Sequence, residues 1–310
     1  MIRIGAVNID TSHPKAFSAI FNAGNRAKYT AVYNDGFRGD DEVEGFIQMT
    51  GAEKRCSAVE ELARITDLGM IHGCNWDKHL SYVEPFIKLG KPVFIDKPIV
   101  GNMRDIKKLR EYAAAGAVIL GSSCMRYAPE LTDFFAQPPE ERGEIISIHS
   151  ICGTDEFNYA IHAVEAIGGL ISGNALSTEY MGGIDTGGVR GETFAIRYKN
   201  GVIAFYTITY GQWQKNVLTV LTSKKSFVLN PAGYDSMLER VITAVETGIV
   251  KTAPPEELIE SILIMLAGKI SRERGGGPVR LEDIPPDYSG FDGNAFERGY
   301  AASAKKLYIR

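Results

Sequence analysis

Short apolar runs alternate with amphipathic stretches through the first part of the chain. Ile2 to Val7, Tyr29 to Tyr33, Leu68 to Ile71, Val93 to Ile95 and Val118 to Gly121 are β-branched or aromatic runs that predict buried strands. Between them, Pro14 to Phe21, Val59 to Arg64, Asp77 to Leu89 and Met103 to Ala115 predict helices, the first with Ser12 as N-cap and Pro14 in its first turn. Strands alternating with helices at this spacing predict a doubly wound parallel α/β sheet over residues 1–125.

After Pro129 the pattern changes. Ile145 to Ile151, Thr193 to Tyr198, Val202 to Tyr210, Val217 to Thr222 and Ser226 to Leu229 read as strands, and Lys199-Asn200-Gly201 is a hairpin signal between two of them. Helices are expected at Phe157 to Ile167, Asp235 to Thr247 and Glu256 to Arg272, followed by a Pro- and Gly-containing tail. Residues 126–310 therefore predict an α+β domain on a mostly antiparallel open sheet, with a cleft between the domains as the default ligand site. Asp185, in the glycine-flanked stretch Gly182 to Gly188, is expected on a loop.

Composition narrows the partners. The 310 residues are 45% apolar and 23% charged, an ordinary globular balance. A net charge of −4 gives no footprint for nucleic acid or an anionic membrane, so a small molecule is the expected partner. The amino terminus meets Asp10 and His13 too soon for a signal-peptide core. Cys56, Cys74, Cys124 and Cys152 form no CxxC pair, which predicts reduced thiols and a cytoplasmic protein. His72 and His149 lack metal-ligand spacing, and no metal is expected.

The most informative run is Gly90-Lys91-Pro92-Val93-Phe94-Ile95-Asp96-Lys97-Pro98, which brings a lysine to the end of a buried strand. Ligands of open parallel sheets lie outside the carboxyl ends of the strands, so the Lys97 ammonium is placed for chemistry; a plain strand-capping lysine is the other reading. A second constellation is Asn158, His162 and Glu165, spaced to share one helical face. Histidine suits proton transfer near neutral pH.

The run Gly90 to Pro98 resembles the "GKxVxxEKP" signature of the Gfo/Idh/MocA oxidoreductases, the family of glucose-fructose oxidoreductase and inositol dehydrogenase. Asn75-Trp76-Asp77-Lys78-His79 resembles the loop and helix start after the family's fourth strand, and Cys124 to Pro129 resembles its "RxxP" crossover. Asn158 to His162 is similar to its "DxxxH" helix, and Ile270-Ser271 with the glycines after it to its last helix. The resemblance implies a Rossmann domain, a substrate domain on an open sheet, and hydride exchange between NAD (or NADP) and a sugar, polyol or related hydroxy compound. It implies that Lys97 polarises the reacting oxygen or nearby cofactor groups and that His162 exchanges the hydroxyl proton. Asn75, Trp76, His79 and Asp96 would lie at the cofactor and Asn158 at the substrate; Arg126 and Tyr127, at the domain crossover, are candidates for substrate contact or equally for a hinge or interface. A homodimer or homotetramer, paired through the open sheet with Tyr206, Tyr210 and Trp213 on it, is expected.

The chain departs from the family pattern in three places. Asn158 stands for an aspartate, and an amide orients a hydroxyl but takes no proton. Asp96 stands for a glutamate, one methylene shorter. Where GxGxxG should follow Val7, the chain reads Asn8-Ile9-Asp10-Thr11-Ser12-His13, with all three glycines replaced and Asp10 at the closest approach of the diphosphate. Helix-start amides with the Thr11 and Ser12 hydroxyls are the remaining anion donors, and a protonated His13 would offset Asp10. At the second strand end, Asn34-Asp35 sits where an acid meets the ribose hydroxyls; Asp35 favours NAD, Arg38 nearby favours NADP, and an exposed Asp-Gly turn is an equal reading. Two further functions stay open: a non-redox enzyme with a tightly bound, recycling NAD, and a cofactor-less sugar-binding or regulatory protein that keeps the fold.

Overall fold

The computed structural model describes residues 1–171 and 173–308. The chain divides into two compact units. The first holds Met1–Ser122, Leu238–Pro255 and the segment from Asp292; the second holds Ser123–Met237 and Glu256–Phe291.

In the first unit, β1 (Ile2–Val7), α1 (His13–Gly24), β2 (Ala27–Tyr33), α2 (Asp40–Thr50), β3 (Lys54–Arg55), α3 (Val59–Ile65), β4 (Leu68–Ile71), α4 (His79–Lys88), β5 (Val93–Ile95), α5 (Met103–Ala114) and β6 (Ile119–Leu120) follow in turn. All pairings are parallel, in the order β3-β2-β1-β4-β5-β6. The chain leaves β1 toward one edge and resumes at β4 on the other side, so β1 and β4 flank the point where strand order reverses, the position at which such sheets bind ligands. β4 and β5 are buried on both faces, which is why they read as continuous apolar runs instead of alternating ones. Helix α1 docks through Phe17, whose ring lies 6.1 Å from Phe94 and 5.5 Å from the His72 imidazole. Full burial of such a side chain stabilises by about 1.5–3 kcal/mol.

The second unit begins with a 3₁₀ turn at Cys124–Tyr127 and continues through α6 (Pro129–Ala136), α7 (Pro139–Arg142), β7 (Ile145–Thr154), α8 (Ala160–Leu170), β8 (Ala175–Thr186), β9 (Val189–Tyr198), β10 (Ile203–Tyr210), β11 (Val217–Thr222) and β12 (Ser226–Leu229). After α9 (Asp235–Thr247) come α10 (Pro255–Glu273), β13 (Gly277–Arg280) and α11 (Gly293–Ser303). The sheet order is β12-β11-β7-β10-β9-β8-β13, antiparallel except for the β7–β10 pair. Helix α8 is buried nearly all round, from Ala160 to Leu170, consistent with its apolar composition.

The two-domain α/β plus α+β reading describes these sheets, with differences in detail. The boundary expected at 125 falls at 122, and Leu238–Pro255 and the segment from Asp292 return to the first unit. The glycine-rich stretch expected to be a loop is the end of β8, which turns at Gly187-Gly188 into β9; Asp185 pairs there with Arg190 as a strand residue. Tyr206, expected on an exposed face, is buried against Phe194, with ring centroids 4.7 Å apart. Among the described residues all four cysteines are buried and none is in a disulfide, and no helix is long and apolar enough to cross a membrane.

Candidate functional site

The end of β5 carries Asp96 and Lys97. Asp96 is buried, with Oδ2 2.7 Å from His13 Nδ1 and 3.2 Å from His72 Nδ1, and Oδ1 accepting the Lys97 backbone N–H at 2.8 Å. Tyr29 Oη closes the chain on His72 Nε2 at 2.9 Å. Burial pushes the Asp96 carboxyl up, but the two imidazoles and their hydrogen bonds outweigh it and hold it well below the usual carboxylate range. Burial lowers His72, with Asp96 opposing. Lys97 thus leaves a strand end whose geometry is over-determined, half-buried, with a cis bond to Pro98. His13, expected to offset Asp10, instead turns to Asp96, because its ring stacks on Phe17 one helical turn along α1.

The end of β1 is built differently. Asn8 holds φ at +62°, the left-handed region that asparagine tolerates better than other side chains, so the tight turn survives without its glycine. Its Oδ1 accepts the Asp35 and Gly36 N–H groups at 2.9 and 3.2 Å, tying β1 to the end of β2. Ile9 is buried and donates its N–H to Asn34 Oδ1. Asp10 is buried; Oδ2 accepts the Cys74 N–H at 3.0 Å, and Oδ1 has no hydrogen-bond partner among the described residues. A Cβ at Gly36 would stand 2.1 Å from that Oδ1, so the bare glycine makes room for the carboxylate. Burial and the nearby Glu297 charge push Asp10 up to about 6, against the Cys74 N–H and Arg38.

The remaining groups of this turn face inward. Arg38, the residue that favoured NADP, is buried and donates Nε and Nη2 to the Asp10 carbonyl, and Nη1 to Glu42 and to the Lys305 carbonyl. Thr11 Oγ1, not Ser12, caps the His13 N–H, and the Thr11 carbonyl accepts the Tyr308 hydroxyl at 2.7 Å. The Asp35 carboxylate, placed for ribose, accepts the Tyr82 hydroxyl at 2.6 Å.

At the end of β4, Asn75 Nδ2 donates to Asn294 Oδ1 and Glu297 Oε2, and buried Trp76 packs on Phe296 with ring centroids 5.0 Å apart. His79 sets both ring nitrogens against backbone carbonyls, those of Ile99 and Gly73. Among the described residues one group has metal-ligand chemistry, Asp10, Cys74 and Glu297, with one donor atom of each within 4.8 Å of the others. Burial pushes the Cys74 thiol up, with Asp10 adding to it, which disfavours the thiolate a metal needs.

In the second unit, His162 is buried with Nδ1 2.6 Å from Ser123 Oγ, a hydroxyl that also accepts the Met125 N–H. Asn158 is buried but precedes α8, so the expected three-residue helical stripe does not form. Glu165 instead pairs with Arg126 at 2.8 Å. The buried Arg126 guanidinium also reaches the Gly168 carbonyl, Ser261 and Glu257, a bolt between α8 and α10. Tyr127 is buried beside it in the 3₁₀ turn.

The first unit thus gathers Asn8 to His13, Asn34, Asp35, Asn75, Trp76, His79, Asp96 and Lys97 around the strand ends, while Arg126, Tyr127, Asn158 and His162 belong to the second. His72, Tyr29, Tyr82, Ser123, Glu297 and Tyr308 fall outside the sequence-predicted set; only His72, at a strand end, carried a local signal. The β5 end fits a nicotinamide dinucleotide's reacting half, since Lys97 follows the strand's carboxyl end with its backbone N–H held by Asp96. The β1 and β2 ends do not fit its adenosine diphosphate in this conformation, because Asp10 brings a carboxylate to the turn and the loop carbonyls and Asp35 are already bonded to the chain itself.

No family model and no curated protein matches the chain in sequence. Solved structures match it in fold. Myo-inositol dehydrogenase from Lactobacillus casei, in complex with NAD(H) and myo-inositol, aligns with a TM-score of 0.77 at 13% identity, covering 90% of this chain and 96% of that one. Scyllo-inositol dehydrogenase from the same organism, with NAD(H) and scyllo-inositol, aligns at 0.73 and 13% identity over 91% and 99%. An oxidoreductase from Thermotoga maritima aligns at 0.74 and 18% identity over 92% and 99%. The chain has the two-domain fold of these dehydrogenases.

Proposed function

We propose that this protein is an NAD(P)-dependent oxidoreductase that transfers hydride between a nicotinamide cofactor and a sugar, polyol or related hydroxy compound. The observation that carries it is the Asp96-Lys97 pair at the carboxyl end of β5, with Asp96 locked by His13, His72 and the Lys97 amide. Such fixation spends no reorganisation when charge develops nearby. The NAD(H) and inositols bound by the Lactobacillus casei enzymes support the same cofactor and substrate class here.

When bound, the nicotinamide supplies the hydride acceptor or donor. Lys97 stabilises charge on the reacting oxygen. His162, its ring oriented by Ser123, holds or releases the hydroxyl proton. Asn158 orients the substrate without exchanging a proton. Arg126 acts through packing, since its donors are engaged within the second unit. The proposal includes a cytoplasmic homodimer or homotetramer, supported by cysteines that are buried thiols outside any disulfide and by the partly exposed Ile151, Phe205 and Val217 of the open sheet.

The test is a titration with NADH and NADPH followed by nicotinamide fluorescence, with oxidation of a panel of inositols and aldoses read at the nicotinamide absorbance. Turnover of at least one polyol with one cofactor is expected. Absence of both binding and turnover overturns the reading in favour of a polyol-binding protein without redox chemistry.

A further inference from the structure

The segment from Asp292 to Tyr308 lies on the strand ends where a dinucleotide's adenosine half belongs. At the β4 end, Phe296 packs on Trp76, and the Glu297 carboxylate accepts from Asn75 Nδ2 at 2.8 Å and Lys78 Nζ at 3.0 Å. At the β2 end, the Tyr300 ring meets Phe37 edge-on at 5.9 Å, and the Lys305 carbonyl accepts from Arg38. At the β1 turn, the Tyr308 hydroxyl takes the Thr11 carbonyl, and Tyr308 packs on Phe46. Three aromatic rings and one carboxylate of the segment therefore cover the strand ends at which such sheets bind a nucleotide, and Asn75 and Lys78 are donors that a phosphate can take over.

Three features make this a displaceable occupant. Helix α11 has eleven residues, too few to be stable by itself, so its place depends on its anchors. Its contact is thin: Gly293 is its one fully buried residue, and the rest of the helix is partly or wholly exposed. It also sets the Glu297 carboxylate beside buried Asp10, a like-charge approach that weakens the docked state.

We infer that residues 292–308 are an intramolecular occupant of the dinucleotide site, so that α11 and NAD(P) compete for the same strand ends and the cofactor binds only as the helix leaves. The inference rests on the oxidoreductase reading and adds its regulation. If the open form is a minor fraction, apparent affinity falls by that fraction, and weakening the anchors recovers it.

The experiment compares the full chain with its Phe296→Ala, Tyr300→Ala double variant, both checked for native circular dichroism, by NADH and NADPH fluorescence titration. Hydrogen exchange on the unmodified chain is measured with and without saturating NADH. Binding at least tenfold tighter in the double variant, together with faster exchange of amides 296–303 when NADH is added, supports the inference. Equal affinities with unchanged or slower exchange overturn it while leaving the oxidoreductase reading intact. If neither form binds either cofactor, both the competition and the oxidoreductase reading fall. Should the double variant not fold, the exchange measurement decides alone.

Discussion

Asp10 and Asp96 close two parallel strands of one sheet, separated by β4, and their carboxyls are pushed in opposite directions. Both are buried, so desolvation opposes the charge at both. At Asp96 two imidazoles and a backbone N–H surround the carboxylate, and attraction wins. At Asp10 one N–H meets Oδ2, Oδ1 has no partner among the described residues, and Glu297 stands near; desolvation wins. The same residue type is therefore held as a carboxylate at one strand end and pushed toward its protonated form at the other. Residue identity in a motif matters less than the partners the fold supplies.

Removing the favoured charge has the largest expected effect. Asp96→Ala leaves His13, His72 and the Lys97 amide without their acceptor, and breaking a buried, hydrogen-bonded pair costs about 3–5 kcal/mol. Urea unfolding should show a lower midpoint at unchanged slope. A loss under 1 kcal/mol would mean that the Asp96 cage is incidental. Asp96 stays ionised further into acid than an unfolded aspartate, so its contribution is present above pH ~3.8 and fades as pH falls toward the folded value. The stability gap between wild type and variant should narrow in that window.

Lys97→Ala tests the same strand end by activity. Loss of a cation beside the reacting oxygen is expected to lower kcat by about a hundredfold, with smaller change in cofactor affinity, in a variant whose circular dichroism stays native. Unaltered kcat would return Lys97 to a strand cap.

These two strand ends were unequally legible in the sequence. Val93 to Pro98 announced itself, because an apolar run between prolines places a lysine at a strand end by chain geometry alone. The replaced glycines after Val7 were visible too, but what fills the space was not, since it comes from 297 and 308. Helix α11 hides because Gly293 opens it, Gly299 interrupts it, and its aromatic anchors are only Phe296 and Tyr300, four apart. Helix α2 hides similarly: acids open it and Gly45 sits mid-helix, leaving Val43 and Phe46 as its buried apolar residues. The strand β8 was masked by Gly182 and Gly183, although its register with β9 continues to Thr186. The Ser123–His162 contact joins residues far apart in sequence, and no local pattern marks it.

The smallest expected effect has the opposite sign. Asp10→Asn keeps an acceptor for the Cys74 N–H and removes a charge that the site disfavours. The folded carboxyl titrates at about 6 against about 3.8 unfolded, so the native state binds the proton more tightly. Stability from this group is therefore gained as pH falls through 6 toward 3.8, and it is missing at pH 8. The full shift corresponds to about 3 kcal/mol, and allowing for relaxation around the new amide, Asp10→Asn should stabilise the protein by about 1–2 kcal/mol at pH 8 and by nothing at pH 4. Urea midpoints at the two pH values separate this from simple repacking, which would shift both alike. Destabilisation at pH 8 would show that the Asp10 charge is held by an interaction outside its hydrogen bond to Cys74. The contrast between the two aspartates would then rest on a partner of Asp10, and the end of β1 would count as a built anion-repelling turn instead of a strained one.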